Sequence, residues 1–121
     1  MSSSNSREAF LDKLKQSSEV RITVTGRKTM KKFSTPVWFV LEGRKVILVP
    51  TMGSDNNWFK DLLKDPRIEL GVGNSTVASE ATIVRDHYQV EKTIGKLRIK
   101  YSSMWSDSYY TKRDVCVEVS M

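Results

Sequence analysis

The sequence predicts an α+β domain that is mainly β: a six-stranded antiparallel barrel, closed or partly closed, with flanking helices. Three observations lead there. The chain has 121 residues, enough for one hydrophobic core and too few for two. Six short segments carry strand patterning, and curling such a sheet into a barrel removes edges that would otherwise pair with other chains. Helical spacing occurs only near the start, in the middle and before the last strand, so helices do not alternate with strands as a doubly wound parallel sheet requires. Residues 1–121 read as a single domain, with 1–18 as its N-terminal helical segment.

The elements follow in order. Ser6 precedes Arg7–Lys15, where Phe10, Leu11 and Leu14 share one helical face and Ser6 is placed to cap the free amides of the first turn. The period then changes to two: Val20, Ile22 and Val24 alternate with Arg21, Thr23 and Thr25 up to Gly26. Thr35–Leu41 and Lys45–Val49 are apolar strands joined by a hairpin turn at Glu42–Gly43–Arg44. Pro50–Ser54 breaks the ladder. Ser54 or Asp55 is the expected cap of a second helix that buries Trp58, Phe59, Leu62 and Leu63, and Asp65–Pro66 stops it, because proline disfavours the helical conformation before it. Ile68–Val72 and Val77–Val84 are two further strands. Val90, Ile94, Leu97 and Tyr101 return to helical spacing, and Val115, Val117 and Val119 mark the last strand.

Composition removes several function classes. Cys116 is the single cysteine and His87 the single histidine, so neither a disulfide framework nor a zinc cluster is expected, and no metal site is assigned. No apolar run approaches the roughly 20 residues of a membrane span, and Met1–Ser6 is too polar for a signal peptide, which points to a cytoplasmic protein. The net charge of +6 favours polyanionic partners: nucleic acid, acidic lipid or a phosphorylated ligand.

Three segments could carry chemistry. Arg27, Lys28, Lys31 and Lys32 surround Thr29 on a turn that follows Gly26, a donor set suited to phosphate. Pro36, unable to donate a ladder bond, places Pro36–Val37–Trp38 at a sheet edge or ligand-facing opening where Trp38 can line a planar ring or pack as core. Thr51–Met52–Gly53 runs into the start of a helix carrying Asn57 and Trp58, where free amides could meet an anion or a carbonyl oxygen. Asp61 with Asp65 sits at helical spacing on a face read as solvated. His87 reads as a cap or surface residue. No nucleophile–base pair is placed together, so no catalytic residue is assigned.

In that order these features resemble the deazaflavin-dependent nitroreductase family, a branch of the flavin-binding split barrels related to pyridoxamine-phosphate oxidases. The residues carrying the resemblance are Gly26–Arg27–Lys28–Thr29, Pro36–Val37–Trp38–Phe39–Val40, Gly53 with Asn57–Trp58–Phe59–Lys60–Asp61–Leu62 and Pro66, and Thr111–Lys112–Arg113. The chain departs from the family pattern at Met30, where glycine is usual, near Phe33, where arginine is frequent, and at Asp61, where asparagine is usual.

The resemblance implies a split barrel, a homodimer, and a reductase that takes hydride from reduced coenzyme F420 and delivers it to a quinone or nitro compound. It further implies that Arg27, Lys28, Thr29 and Lys31 meet the coenzyme phosphate. Pro36, Val37, Trp38, Thr51, Met52 and Gly53 would lie along its ring, with Asn57 and Trp58 nearby. Trp105, Tyr109 and Tyr110 would form a lid on the substrate side. Riboflavin phosphate (FMN) on the same fold is the alternative coenzyme, in a reductase, oxidase or flavin carrier. A binder of single-stranded nucleic acid is the rival from another class, and it ranks last because the cations outside one turn are scattered, so no nucleic-acid partner is expected.

Overall fold

The computed structural model describes residues 3–121, with side chains from Ser6 onward; the Met1–Ser2 end of the expected N-terminal segment lies outside the described residues. Seven strands form one antiparallel curled sheet: β1 (Val20–Thr25), β2 (Lys32–Val37), β3 (Val40–Glu42), β4 (Lys45–Leu48), β5 (Arg67–Val72), β6 (Ser75–Val84) and β7 (Cys116–Ser120), in the spatial order β2-β1-β5-β6-β7-β4-β3. Three helices accompany it: α1 (Ser3–Lys15), α2 (Asn57–Lys64) and α3 (His87–Lys100). The fold is the expected mainly β split barrel.

The seventh strand arises because the expected strand Thr35–Leu41 is two. Val37 pairs with Val20 of β1, whereas Val40 pairs with Ile47 of β4, so the chain leaves one edge of the sheet and joins the other across Trp38–Phe39. Pro36 sits on the edge strand, where its missing donor costs no ladder bond. The backbone groups freed at the crossing are met from α3. The Phe39 N–H donates to the Tyr101 hydroxyl at 3.2 Å, that hydroxyl donates to Ser18 O at 2.8 Å, and the Lys100 ammonium reaches Phe39 O at 2.9 Å. Burial pushes the Tyr101 phenol above its usual range and lowers the Lys100 ammonium to about 8. Tyr101→Phe is therefore expected to lose about 1–3 kcal/mol of stability in denaturant titration, since it leaves the buried Phe39 N–H unpaired.

The core lies on both faces of part of the sheet. Phe10, Leu11 and Leu14 of α1 and Trp58, Phe59 and Leu62 of α2 pack into the hollow face against Val20, Ile22, Val24, Ile68 and Leu70. On the opposite face, Val90, Ile94 and Leu97 of α3 cover Val40, Ile47 and Cys116. This explains two kinds of strand in the sequence. The strand β1 is covered on one face and alternates, while Val46, Ile47 and Leu48 of β4, covered on both, are uninterruptedly apolar. Gly43, at φ +63, takes the positive dihedral that a two-residue hairpin between Glu42 and Lys45 demands.

Several local expectations are corrected. The first helix begins at Ser3, which puts Ser6 inside it rather than at its cap. The second is capped by Asn56, whose Oδ1 accepts the Trp58 N–H at 3.2 Å, not by Ser54 or Asp55. Those two residues lie in a preceding turn of 3-10 helix, Gly53–Asp55. Leu63 is exposed, and Asp61 occupies the buried face instead. An aspartate can be buried there because a cation reaches it from the β1–β2 turn, a long-range pairing that helical spacing does not show.

Candidate functional site

Two adjoining hollows lie where the β1–β2 turn, the Trp38 crossing and the start of α2 converge. The larger, about 510 Å³, is lined by Phe33, Thr35, Pro36, Val37 and Trp38 on one side. Thr51, Met52, Asn56, Asn57 and Trp58 line it on the other, with Glu19, Val49, Tyr109 and Tyr110 completing its wall. The smaller, about 460 Å³, is lined by Gly26, Arg27, Lys28, Thr29, Lys31, Lys32, Phe33, Asn57 and Asp61. Phe33 and Asn57 belong to both, so a cationic hollow borders an aromatic groove. Each volume falls in the range of about 300–1,000 Å³ usual for small-molecule sites.

The cationic end is built by a tight turn. Gly26 N–H donates to Lys31 O at 2.8 Å, Met30 N–H to Gly26 O at 2.9 Å, and Lys31 N–H to the Thr29 hydroxyl at 3.2 Å. Met30 adopts φ +61, the one positive φ outside glycine among the described residues. Its side chain is 65% exposed, so packing does not explain the choice of residue. Met30→Gly is expected to stabilise the fold by about 1 kcal/mol in chemical denaturation, the relief of a left-handed conformation at a residue with a Cβ. Lys28 and Lys31 have no carboxylate partner among the described residues, whereas Lys32 pairs with Glu69 at 3.2 Å and Arg27 with Asp61 at 2.7 Å.

The aromatic groove owes its shape to stacking. Trp38 lies parallel to Tyr101 with centroids 4.2 Å apart and meets Tyr109 edge-on at 5.6 Å. Tyr101 is fixed by its hydroxyl, so the Trp38 ring is held from behind while still lining the groove. Trp58 forms part of the floor and is mostly buried. The opposite wall is tied down by the segment before β7. Thr111 N–H donates to Thr51 O at 2.9 Å, and Ser54 N–H donates to Asp114 Oδ1 at 2.9 Å. Burial works to raise the Asp114 carboxyl, but the Ser54 bonds and nearby Lys112 outweigh it and hold the group below its ordinary 3.8.

Of the sequence candidates, Arg27, Lys28, Thr29 and Lys31 come together in the cationic hollow, Pro36, Val37, Trp38, Thr51, Met52 and Trp58 in the groove, and Asn57 at their junction. Gly53 stands behind the wall, where an added Cβ would lie 2.7 Å from Lys112 O. Tyr109 and Tyr110 line the groove; Trp105 instead stacks on the far side of Tyr110 at 5.4 Å, beneath Arg98. Most of the amides expected to be free at Thr51–Trp58 are used internally: Gly53, Asp55 and Asn56 N–H donate to backbone carbonyls, Ser54 N–H to Asp114 and Trp58 N–H to Asn56. Glu19, Phe33, Thr35, Val49 and Asn56 are lining residues that sequence reasoning missed. Phe33 alone carried a signal, a large apolar residue at a solvated position directly after Lys31 and Lys32, 52% exposed in the structure.

Solved structures share this fold. An F420-H2 dependent reductase matches with a TM-score of 0.62 at 19% identity, over 85% of this chain and 94% of that one. A pyridoxamine 5'-phosphate oxidase-type protein from Listeria innocua matches with a TM-score of 0.68 at 11% identity, over 93% and 90%. A protein described as a domain-swapped dimer matches with a TM-score of 0.63 at 19% identity, over 94% and 96%. No curated protein matches the chain. The family model for F420H(2)-dependent quinone reductase matches residues 4–121. With nearly every residue of the barrel, both hollows included, inside that match, the chain belongs to the F420H(2)-dependent quinone reductase family.

Proposed function

We propose that the chain binds F420 along the two hollows and catalyses reduction of a small planar electrophile, a quinone or a nitro compound, with F420H2. The observation that carries this reading is that the cationic hollow and the aromatic groove adjoin and share Phe33 and Asn57 as lining. A ring system with an anionic tail needs both ends in one continuous cleft. The donor set fits: Lys28 and Lys31 have no carboxylate partner among the described residues, Thr29 offers a hydroxyl, and the adjoining groove is walled by Pro36, Val37, Trp38 and Trp58. When bound, the reduced coenzyme supplies the hydride.

The protein's own part is to bind, orient and exclude water. Lys28, Thr29 and Lys31 hold the anionic end. Trp38, fixed by its stack on Tyr101, and the Thr51–Met52 wall set the plane of the ring. Tyr109 and Tyr110 close the side on which an acceptor would lie. Burial pushes the Tyr110 phenol up to about 12, so it stays protonated at neutral pH. The family description names F420H2, and no feature of the groove favours FMN over it.

Quenching of F420 fluorescence on titration with protein tests the binding, and loss of F420H2 with a soluble quinone or a nitroaromatic as acceptor tests the reaction. Saturable binding with turnover of either acceptor is expected. Absence of binding at millimolar protein would remove the reading.

A homodimer is part of the same proposal. It is supported by the fold shared with a domain-swapped dimer. Sedimentation velocity should give twice the 13.9 kDa chain mass.

A further inference from the structure

Asp61 is out of place in a hollow that attracts anions. It is 7% exposed, lines the cationic hollow, and points its Oδ1 at the turn across from α2. That oxygen accepts two hydrogen bonds from one residue, the Arg27 backbone N–H at 3.0 Å and the Arg27 Nη1 at 2.7 Å. The same Nη1 donates to Asn57 O at 3.2 Å. One edge of the guanidinium is thereby committed to α2. Its Nε and Nη2, with three N–H donors between them, have no partner among the described hydrogen bonds, and Arg27 lines the hollow beside Lys28, Thr29 and Lys31.

We propose that Asp61 is a positioning residue: by anchoring one edge of the Arg27 guanidinium, it presents the other edge as a pre-aimed fork to the phosphate end of the bound ligand. The inference rests on the coenzyme reading of this cleft and deepens it. A free arginine side chain must give up many rotamers to grip a phosphate. One already held by a carboxylate and a carbonyl gives up few, so more of the interaction appears as affinity. The geometry also explains how a carboxylate is tolerated here. Its charge is spent on Arg27, while Lys28 and Lys31 keep the hollow cationic. Lys32–Glu69 does not play this part, because both of its side chains are solvent-exposed and it lies on the sheet rather than at the helix.

The test is a double-mutant cycle read as F420 affinity by fluorescence, with thermal stability followed in parallel. Asp61→Ala should weaken F420 about tenfold when Arg27 is present and should cause no loss in an Arg27→Ala background, where there is no guanidinium to hold and only an uncompensated carboxylate is removed. Arg27→Lys keeps the charge and the pairing with Asp61 but has no second edge, and it should lose about tenfold in affinity with little change in stability. Equal losses from Asp61→Ala in both backgrounds, or wild-type affinity in Arg27→Lys, would overturn the proposal. Should Asp61→Ala fold poorly, Asp61→Asn keeps the shape and an acceptor, and should show a smaller loss with the same dependence on Arg27. A readout free of the coenzyme is the Arg27 Nε–Hε NMR signal during titration with inorganic pyrophosphate. It should shift in the wild type and not in Asp61→Ala; no wild-type shift overturns the proposal. A shift without any F420 binding would support the anchored fork and sink the coenzyme reading instead.

Discussion

Replacing Lys28 and Lys31 together with alanine is expected to weaken F420 binding by on the order of 3 kcal/mol, roughly a hundredfold, because each removes a charge-assisted contact worth about 1.5–3 kcal/mol. These two lysines are the suitable pair because neither has a carboxylate partner among the described residues, so their loss strands no buried charge. Thermal stability should accordingly stay within experimental error of the wild type. The salt dependence provides a second check. Wild-type affinity should fall as ionic strength rises, and the double variant should show a shallower fall, since fewer charges remain to be screened. Unchanged affinity with an unchanged salt response would show that the anionic end binds elsewhere.

The second large effect is expected at Gly53. This residue holds φ +55, and an ideal Cβ there would sit 2.7 Å from Lys112 O and closer still to Asp114 Oδ1. A left-handed conformation costs about 1–2 kcal/mol for a residue with a Cβ, and forced contact in a packed site adds about 1–3 kcal/mol, so Gly53→Ala should lose about 3 kcal/mol of stability. The clash is with backbone and a bonded carboxylate, neither of which can swing aside freely. Asp114 would have to release Ser54, and the Thr51–Met52 wall of the groove would move with it. Denaturant titration should report the stability loss and F420 titration a weakened ring site. Acid should loosen the same contact. The Asp114 carboxyl is held below 3.8 in the folded chain, so its stabilising contribution is complete above that pH and disappears as pH falls through the lower folded value. In Asp114→Asn that acid-dependent part of the stability curve should be missing.

The two hollows give the family assignment a physical content. Family membership names a coenzyme, and the cleft supplies a reason for it in this chain: ammonium groups with no carboxylate partner among the described residues at one end and a braced tryptophan in the adjoining groove. Phe33 and Asn57 at the junction would flank a molecule that occupies both hollows. The departures from the family pattern cluster around this same end. Met30 occupies a backbone conformation suited to glycine, Phe33 exposes a ring at the junction, and Asp61 pairs with Arg27.

Local pattern by itself determined the antiparallel architecture, nearly every strand and helix, the cationic turn and the edge position of Pro36. Alternation, apolar runs, glycine and proline are short-range signals, and they act within a few residues of where they are read. Tertiary structure decided what depends on residues far apart in the chain. It split Thr35–Leu41 into two strands, because the two halves find partners on opposite edges of the sheet and α3 supplies the bonds lost between them. It buried Asp61, which helical spacing alone assigns to a wet face, because Arg27 arrives from 34 residues away to neutralise it. It turned Trp105 away from the groove and brought Glu19, Thr35 and Val49 to its wall. The cost of burying a charge or breaking a ladder depends on which partner arrives, and that partner is set by the closure of the whole sheet.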